Sequence, residues 1–118
     1  FFAAGPMEAA VTARALGLLA PPERRAMAGY GSYEDVMAAA ELAVRAALAR
    51  GGHLCGAFSA ADLYLAGYLS YGMQFGTIEK RPLFEQYVQP LVSRPAAARA
   101  NALDDALAQQ LQAAGGAG

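Results

Sequence analysis

His53, Cys55 and Asp62 are the side chains of this sequence whose types could support nucleophilic, metal-binding or acid–base chemistry. His53 and Cys55 lie two residues apart, and the chain has no second histidine or cysteine to complete a zinc site, which needs three or four protein ligands. A free cysteine commonly behaves as a small buried apolar side chain. We therefore predict a loop histidine, a half-buried cysteine, no metal site and no catalytic residue in this chain.

Asp62 belongs to a mainly apolar segment, residues 56–63, and could be a buried catalytic carboxylate. Its spacing from Ser59 favours another role, because an acid three residues after a serine completes a capping box at the start of a helix. Phe58 and Leu63 flank this box at the positions of a hydrophobic staple. We predict that all four residues are structural and that they start a helix at residue 60.

That helix should run to about Phe75, and its almost wholly apolar sequence predicts burial on most sides. Tyr64, Tyr68, Tyr71 and Phe75 recur along it at helical spacing. Such an aromatic stripe could line a pocket for an aromatic substrate, but it is more often part of a core. We predict core positions for Tyr64 and Tyr68, whereas Tyr71 stays open between the core and a pocket wall.

The composition predicts an all-α protein, since alanine is by far the commonest residue and valine and isoleucine are scarce. We expect one domain, residues 1–114, with about five helices around the one that starts at Ala60, and a disordered tail over residues 115–118. The expected helices are residues 1–16 with a kink at Gly5–Pro6, a short turn over 22–28, a helix from a second capping box (Ser32 and Asp35) to about Arg50, residues 60–75, a helix opened by Pro82 and bent or shortened by Pro90, and a last helix opened by Pro95 that carries Leu103, Leu107 and Leu111.

Charge and hydropathy exclude several classes of protein. The net charge is −1 and the basic residues are scattered, which argues against nucleic-acid binding. No apolar run of about 18 residues is present to span a membrane. A single cysteine excludes an intrachain disulfide and fits a reducing, cytoplasmic location. The charged segment of residues 79–81 is expected to be a solvated loop.

The order of these motifs resembles the C-terminal helical domain of bacterial-type glutathione S-transferases. The resemblance covers about residues 1–100 and is carried by the capping segment, by Arg81–Pro82 and Tyr87, and by residues 93–96, Ser-Arg-Pro-Ala. It implies a preceding N-terminal thioredoxin-like domain that holds most of the glutathione site and the residue that activates the thiol. It further implies a homodimer that conjugates glutathione, its co-substrate, to hydrophobic electrophiles, with no cofactor bound by this domain alone.

In that family the first helix of this domain forms a wall of the hydrophobic-substrate pocket. The resemblance thus makes Phe1, Phe2, Gly5 and Pro6 candidate wall residues, with Tyr71 as a further one. Phe1 and Phe2 could equally pack against the missing domain. The same helical domain also occurs in proteins that use it only for docking, so a non-enzymatic interaction or ligand-binding module stays an alternative. This chain alone is expected to be inactive.

Overall fold

The computed structural model of the chain describes residues 1–115. These residues form five α-helices and no strand, which confirms the all-α prediction. The helices are α1 (Glu8–Ala15), α2 (Tyr33–Ala49), α3 (Ala60–Phe75), α4 (Pro82–Val92) and α5 (Pro95–Gly115). A π-helical turn, Ala3–Met7, leads into α1, and a 3₁₀ helix, Pro22–Met27, precedes α2. No helix in the described range is both long and apolar enough to cross a membrane.

The ends of α2 follow directly from local sequence signals. The Asp35 N–H donates to Ser32 Oγ at 3.1 Å, and the Ser32 N–H donates to the Asp35 carboxylate at 3.2 Å, so the predicted capping box is formed. At the other end, Gly51 has a φ of +87°, in the left-handed region that glycine enters without steric cost. The expected helix therefore forms within about one residue of its expected bounds.

Pro6 gives the start of the chain an unusual geometry. The expected kink at Gly5–Pro6 takes the form of the π-helical turn, in which the Met7 N–H donates to the Phe2 carbonyl at 3.1 Å. Proline has no N–H to donate, so the regular ladder is interrupted at this position. The turn buries Ala3 and Met7, and Phe1, which precedes the turn, is exposed.

The core lies between one face of α3 and the facing sides of α1, α2, α4 and the π-helical turn. The largest fully buried side chains are Tyr87, Phe84, Met7, Met37, Leu69 and Ile78. Pro90 is exposed, and α4 continues past it to Val92 before the chain turns. Pro90 therefore lies in the last turn of α4, so the backbone hydrogen bond that it cannot donate is missing only near the end of the helix.

Only one face of α3 is buried, so the prediction of burial on most sides is wrong. Tyr64, Tyr71 and Phe75 are 62%, 67% and 60% exposed, respectively. The core position predicted for Tyr64 is therefore also wrong, and Tyr68 is half-buried. The reason is that the described helices pack against one side of α3 and leave the aromatic side uncovered.

The loop over residues 79–81 is more than a solvated connection. Arg81 donates to Glu41 of α2 at 2.8 Å, and Glu79 accepts from Arg14 of α1 at 3.4 Å. Arg81 and Glu41 are both mostly covered, with side chains 28% and 30% exposed. This pair therefore ties the start of α4 to the middle of α2, and the prediction of a simple solvated loop needs this correction.

The last helix, α5, contains no buried residue in the part of the chain described here. Its first half lies near the end of α4, and the rest extends beyond the core. The sequence predicted Gly115 as the first residue of a disordered tail, but in the structure it is the final residue of α5. The other residues of the expected tail, 116–118, lie outside the described range.

Candidate functional site

The Asp62 carboxylate is the most heavily bonded polar group in the core. The Leu54 N–H and the Tyr87 hydroxyl donate to its Oδ1 at 2.9 Å and 3.0 Å, and the Ser59 N–H donates to Oδ2 at 3.0 Å. Its side chain is fully buried. Asp62 thus joins the loop before α3, the first turn of α3 and the middle of α4, which is more than a cap alone requires.

All three of these partners donate hydrogen bonds, which decides the charge of the carboxyl. Burial acts to raise the pKa of Asp62, but the N–H groups of Leu54 and Ser59 and the Tyr87 hydroxyl together outweigh it and hold the pKa below its usual value. Conversely, burial and the neighbouring carboxylate raise the pKa of Tyr87 far above its ordinary range. The pair is therefore a carboxylate and a neutral phenol, an arrangement suited to holding structure rather than transferring protons at neutral pH.

His53 lies beside this carboxylate without bonding to it. Its Nδ1 is 3.7 Å from Asp62 Oδ2, beyond hydrogen-bond distance, and this buried nitrogen has no protein partner. Cys55 is exposed, so the predicted half-buried position is wrong. Within residues 1–115 no cluster of three or more potential ligands could hold a metal ion.

Phe58 connects the capping segment to the turn between α4 and α5. The Arg94 guanidinium lies 3.7 Å from the centre of the Phe58 ring, and His53 meets the same ring edge-on at 5.9 Å. Phe58 and Leu63 are 40% and 53% exposed, so a staple between them would bury little surface. The capping segment and the Ser-Arg-Pro-Ala segment, which are 30 or more residues apart in sequence, are therefore in contact through Arg94.

An apolar cavity of about 280 Å³ opens between the start of the chain, α2 and α3. Its walls are mainly apolar and are formed by Phe1, Phe2, Ala3, Ala39, Ala43, Leu54, Ala61, Tyr64 and Leu65. Leu54 belongs to both features, since its N–H donates to Asp62 while its side chain lines the cavity. The hydrogen bond to Asp62 thus fixes the backbone of Leu54, one of the residues that line the cavity.

Only some of the wall residues predicted from the sequence line this cavity. Phe1 and Phe2 line the cavity, whereas Gly5 does not, and a methyl group added at Gly5 would make only an ordinary contact with the Phe1 ring, at 3.6 Å. Pro6 is not among the cavity-lining residues. Tyr71 lies farther along α3 and lines a groove with α5 and another with α1. The predicted set is therefore distributed over more than one surface.

Several cavity residues were not predicted as wall residues. Ala39 and Ala43 of α2 leave room for the cavity because they are small, and Tyr64 and Leu65 follow directly from the capping box. The capping box could have predicted the residues from α3, because it fixes the first turn of the helix and therefore the directions in which residues 61, 64 and 65 point.

Comparison of the chain with protein-family models, with curated proteins and with solved structures yields no match.

Proposed function

We propose that this chain is the C-terminal helical domain of a glutathione S-transferase and that it supplies the binding wall for hydrophobic electrophiles. The observation that carries the proposal is the apolar cavity beside Phe1 and Phe2. A cavity lined by aromatic and aliphatic side chains suits apolar ligands of varied shape. In this proposal glutathione binds mainly to an N-terminal thioredoxin-like domain, and the chain alone does not catalyse conjugation.

The packing around Asp62 supports this proposal independently of the cavity. The motifs on which the resemblance depends are the capping box, Tyr87 and the Ser-Arg-Pro-Ala segment. They meet in space, because Tyr87 donates to Asp62 and Arg94 covers Phe58. A chance match of short motifs would give no reason for these residues to be in contact.

The exposed aromatic side of α3 is a further supporting feature. Tyr64, Tyr71 and Phe75 leave a large apolar surface uncovered, which is unusual for a domain that folds without a neighbour. Proximity of Tyr64 to the cavity would place a neighbouring domain beside the bound electrophile. That arrangement is what conjugation requires, because the thiolate and the electrophile must be held within reacting distance.

The Phe2→Ala substitution tests the assignment in the proposed two-domain transferase. We expect KM to rise by about ten-fold for bulky aromatic electrophiles and by much less for small ones, because an aromatic wall contributes binding in proportion to the apolar area that it covers. Steady-state kinetics over a series of electrophiles of increasing size, at saturating glutathione, would measure this.

Leu42→Ala is the matched control for that series. Leu42 is an exposed apolar residue of α2 that does not line the cavity, so its removal should leave the KM series unchanged. An equal effect of Phe2→Ala on every electrophile, together with a lower melting temperature, would instead assign Phe2 to packing.

A ligand-binding module without catalysis is the second candidate function. It is favoured by the lining of the cavity, which is mainly aliphatic and aromatic and therefore suits binding of an apolar ligand more than chemistry on it. Binding of apolar dyes without any glutathione conjugation by the two-domain protein would select this candidate over the transferase.

A further inference from the structure

The segment between α1 and α2 presents apolar side chains that the described part of the chain leaves uncovered. Leu16, Leu18 and Met27 are 65%, 69% and 86% exposed, and Leu19 is 40% exposed. The 3₁₀ helix of this segment, Pro22–Met27, contains no buried residue. Four large apolar side chains therefore lie at the surface within a short stretch of sequence.

Hydrogen bonds at the end of α1 hold the first of these leucines in place. The Leu18 N–H donates to the Ala13 carbonyl at 2.7 Å, the Gly17 N–H donates to the Arg14 carbonyl at 3.1 Å, and Gly17 has a φ of +68°. This is a Schellman motif, in which the residue after the glycine often packs against the residue five positions before it. That residue is Ala13, which is too small to cover a leucine. Leu18 is therefore presented to solvent by a hydrogen-bonded turn.

Basic residues accompany this apolar group. Residues 14–27 contain three arginines and one acidic residue, Glu23, in a chain whose net charge is −1. Arg24 and Arg25 are exposed and form no ion pair with another residue in the range 1–115. Leu19 and Arg25 line the same small cleft, so apolar and basic side chains are adjacent. We define the leucine–arginine surface as Leu16, Leu18, Leu19, Arg24, Arg25 and Met27.

The shape and composition of the leucine–arginine surface favour a lipid bilayer over a folded protein as its partner. Its cleft holds about 60 Å³, against about 280 Å³ for the cavity beside Phe2. Protein interfaces are enriched in aromatic residues that fill pockets, and residues 14–27 contain no aromatic residue. Leucines beside arginines are typical of segments that bind the membrane surface, where apolar side chains enter the headgroup region and basic ones attract anionic lipids.

We propose that the leucine–arginine surface binds the surface of an anionic lipid bilayer, with its leucines and Met27 in the headgroup region and with Arg24 and Arg25 contacting lipid phosphates. Binding of this kind needs no membrane-spanning helix. Phe1 and Phe2 lie at the opposite end of the π-helical turn and α1, roughly 20 Å away at the rise of a helix, so the cavity is not part of the contact. This proposal does not depend on the transferase function.

The experiment is sedimentation of the 118-residue chain with vesicles of phosphatidylcholine, either alone or mixed with phosphatidylserine. We expect binding to the mixed vesicles only, and weaker binding as salt is added, because salt screens the attraction between arginines and lipids. The double substitution of Arg24→Gln and Arg25→Gln should weaken binding about thirty-fold, since each arginine near an anionic surface contributes roughly five-fold. Leu18→Ser together with Met27→Ser should weaken it roughly ten-fold or more, through loss of apolar area.

Two controls match these variants. Arg45→Gln with Arg99→Gln removes the same charge from exposed positions on α2 and α5, and Leu42→Ser removes an exposed leucine of α2. Both should bind nearly as the wild type does. Every altered side chain is exposed, so all variants should keep the wild-type melting temperature and circular dichroism spectrum.

Three results would overturn the proposal. The first is a wild-type chain that binds the mixed vesicles no better than phosphatidylcholine alone, which would leave the leucine–arginine surface to an acidic protein partner. The second is binding that either double substitution in this surface leaves unchanged. The third is binding that the control substitutions weaken as much as the substitutions in this surface do.

Discussion

Asp62→Ala should destabilise the chain by about 3 kcal/mol, whereas Asp35→Ala should cost only about 1 kcal/mol. Both aspartates occupy the third position of a capping box. Asp35 is exposed, and its hydrogen-bond partners all lie on Ser32. Removing Asp62 instead strands the Leu54 N–H and the Tyr87 hydroxyl in the core, beyond the loss of the cap itself.

Urea unfolding of the wild type and both variants at pH 7, followed by circular dichroism, measures this difference. Tyr87→Phe is a useful third variant, because it removes one donor to Asp62 and should cost about 1 kcal/mol. Equal losses for Asp62→Ala and Asp35→Ala would mean that Asp62 serves only as a cap. An Asp62→Ala variant of normal stability that specifically lost activity in the proposed two-domain transferase would make Asp62 catalytic.

The same network gives the contribution of Asp62 to stability a defined pH dependence. Its pKa in the folded chain lies below its value in the unfolded chain, so its contribution is complete above about pH 4 and is lost as the pH falls through the folded pKa. The stability gap between the wild type and Asp62→Asn should therefore be constant from pH 5 to 7 and narrow only under more acidic conditions.

Two glycines of α3 should respond to alanine substitution in opposite directions. A Cβ atom at Gly72 would lie 2.5 Å from Ile78 Cδ1 and 2.6 Å from its Cγ1, and Ile78 is buried. The Ile78 N–H also donates to the Gly72 carbonyl at 3.0 Å, so the loop cannot easily move away. We expect Gly72→Ala to cost about 2 kcal/mol through overpacking.

Gly67 is the control within the same helix. A Cβ atom there meets nothing within 4 Å, so Gly67→Ala should stabilise the chain by about 0.5–1 kcal/mol through helix propensity alone. Thermal unfolding of both variants at equal protein concentration checks the pair. If Gly72→Ala melted at or above the wild-type temperature, the close approach of Ile78 to α3 would be wrong.

Local signals in the sequence predicted the helix starts and stops, because caps and left-handed glycines act within a few residues. Ser32 with Asp35, Ser59 with Asp62, and Gly51 all act at the expected places. Capping boxes and helix-ending glycines depend on the spacing of residues along the chain, which can be read from the sequence alone.

Features that depend on tertiary contacts could not be predicted in this way. The sequence marked Tyr87 as part of the family resemblance, and the packing of α4 on α3 is what brings its hydroxyl to Asp62. The Arg81–Glu41 pair joins residues 40 positions apart, so no local pattern marks it. Tyr64 was predicted as core because its helix is apolar, yet burial depends on which neighbours cover each side of that helix.

We propose that the cavity beside Phe2 binds apolar electrophiles and that the glutathione site lies on another domain. Isothermal titration of the 118-residue chain tests it most directly, with an aromatic electrophile and glutathione as separate titrants and with wild type, Phe2→Ala and Leu42→Ala in the cell. We predict one-to-one binding of the electrophile that weakens about ten-fold in Phe2→Ala only, and no measurable binding of glutathione. A one-to-one glutathione site of micromolar affinity on this chain, or electrophile binding that Phe2→Ala leaves unchanged, would contradict this proposal.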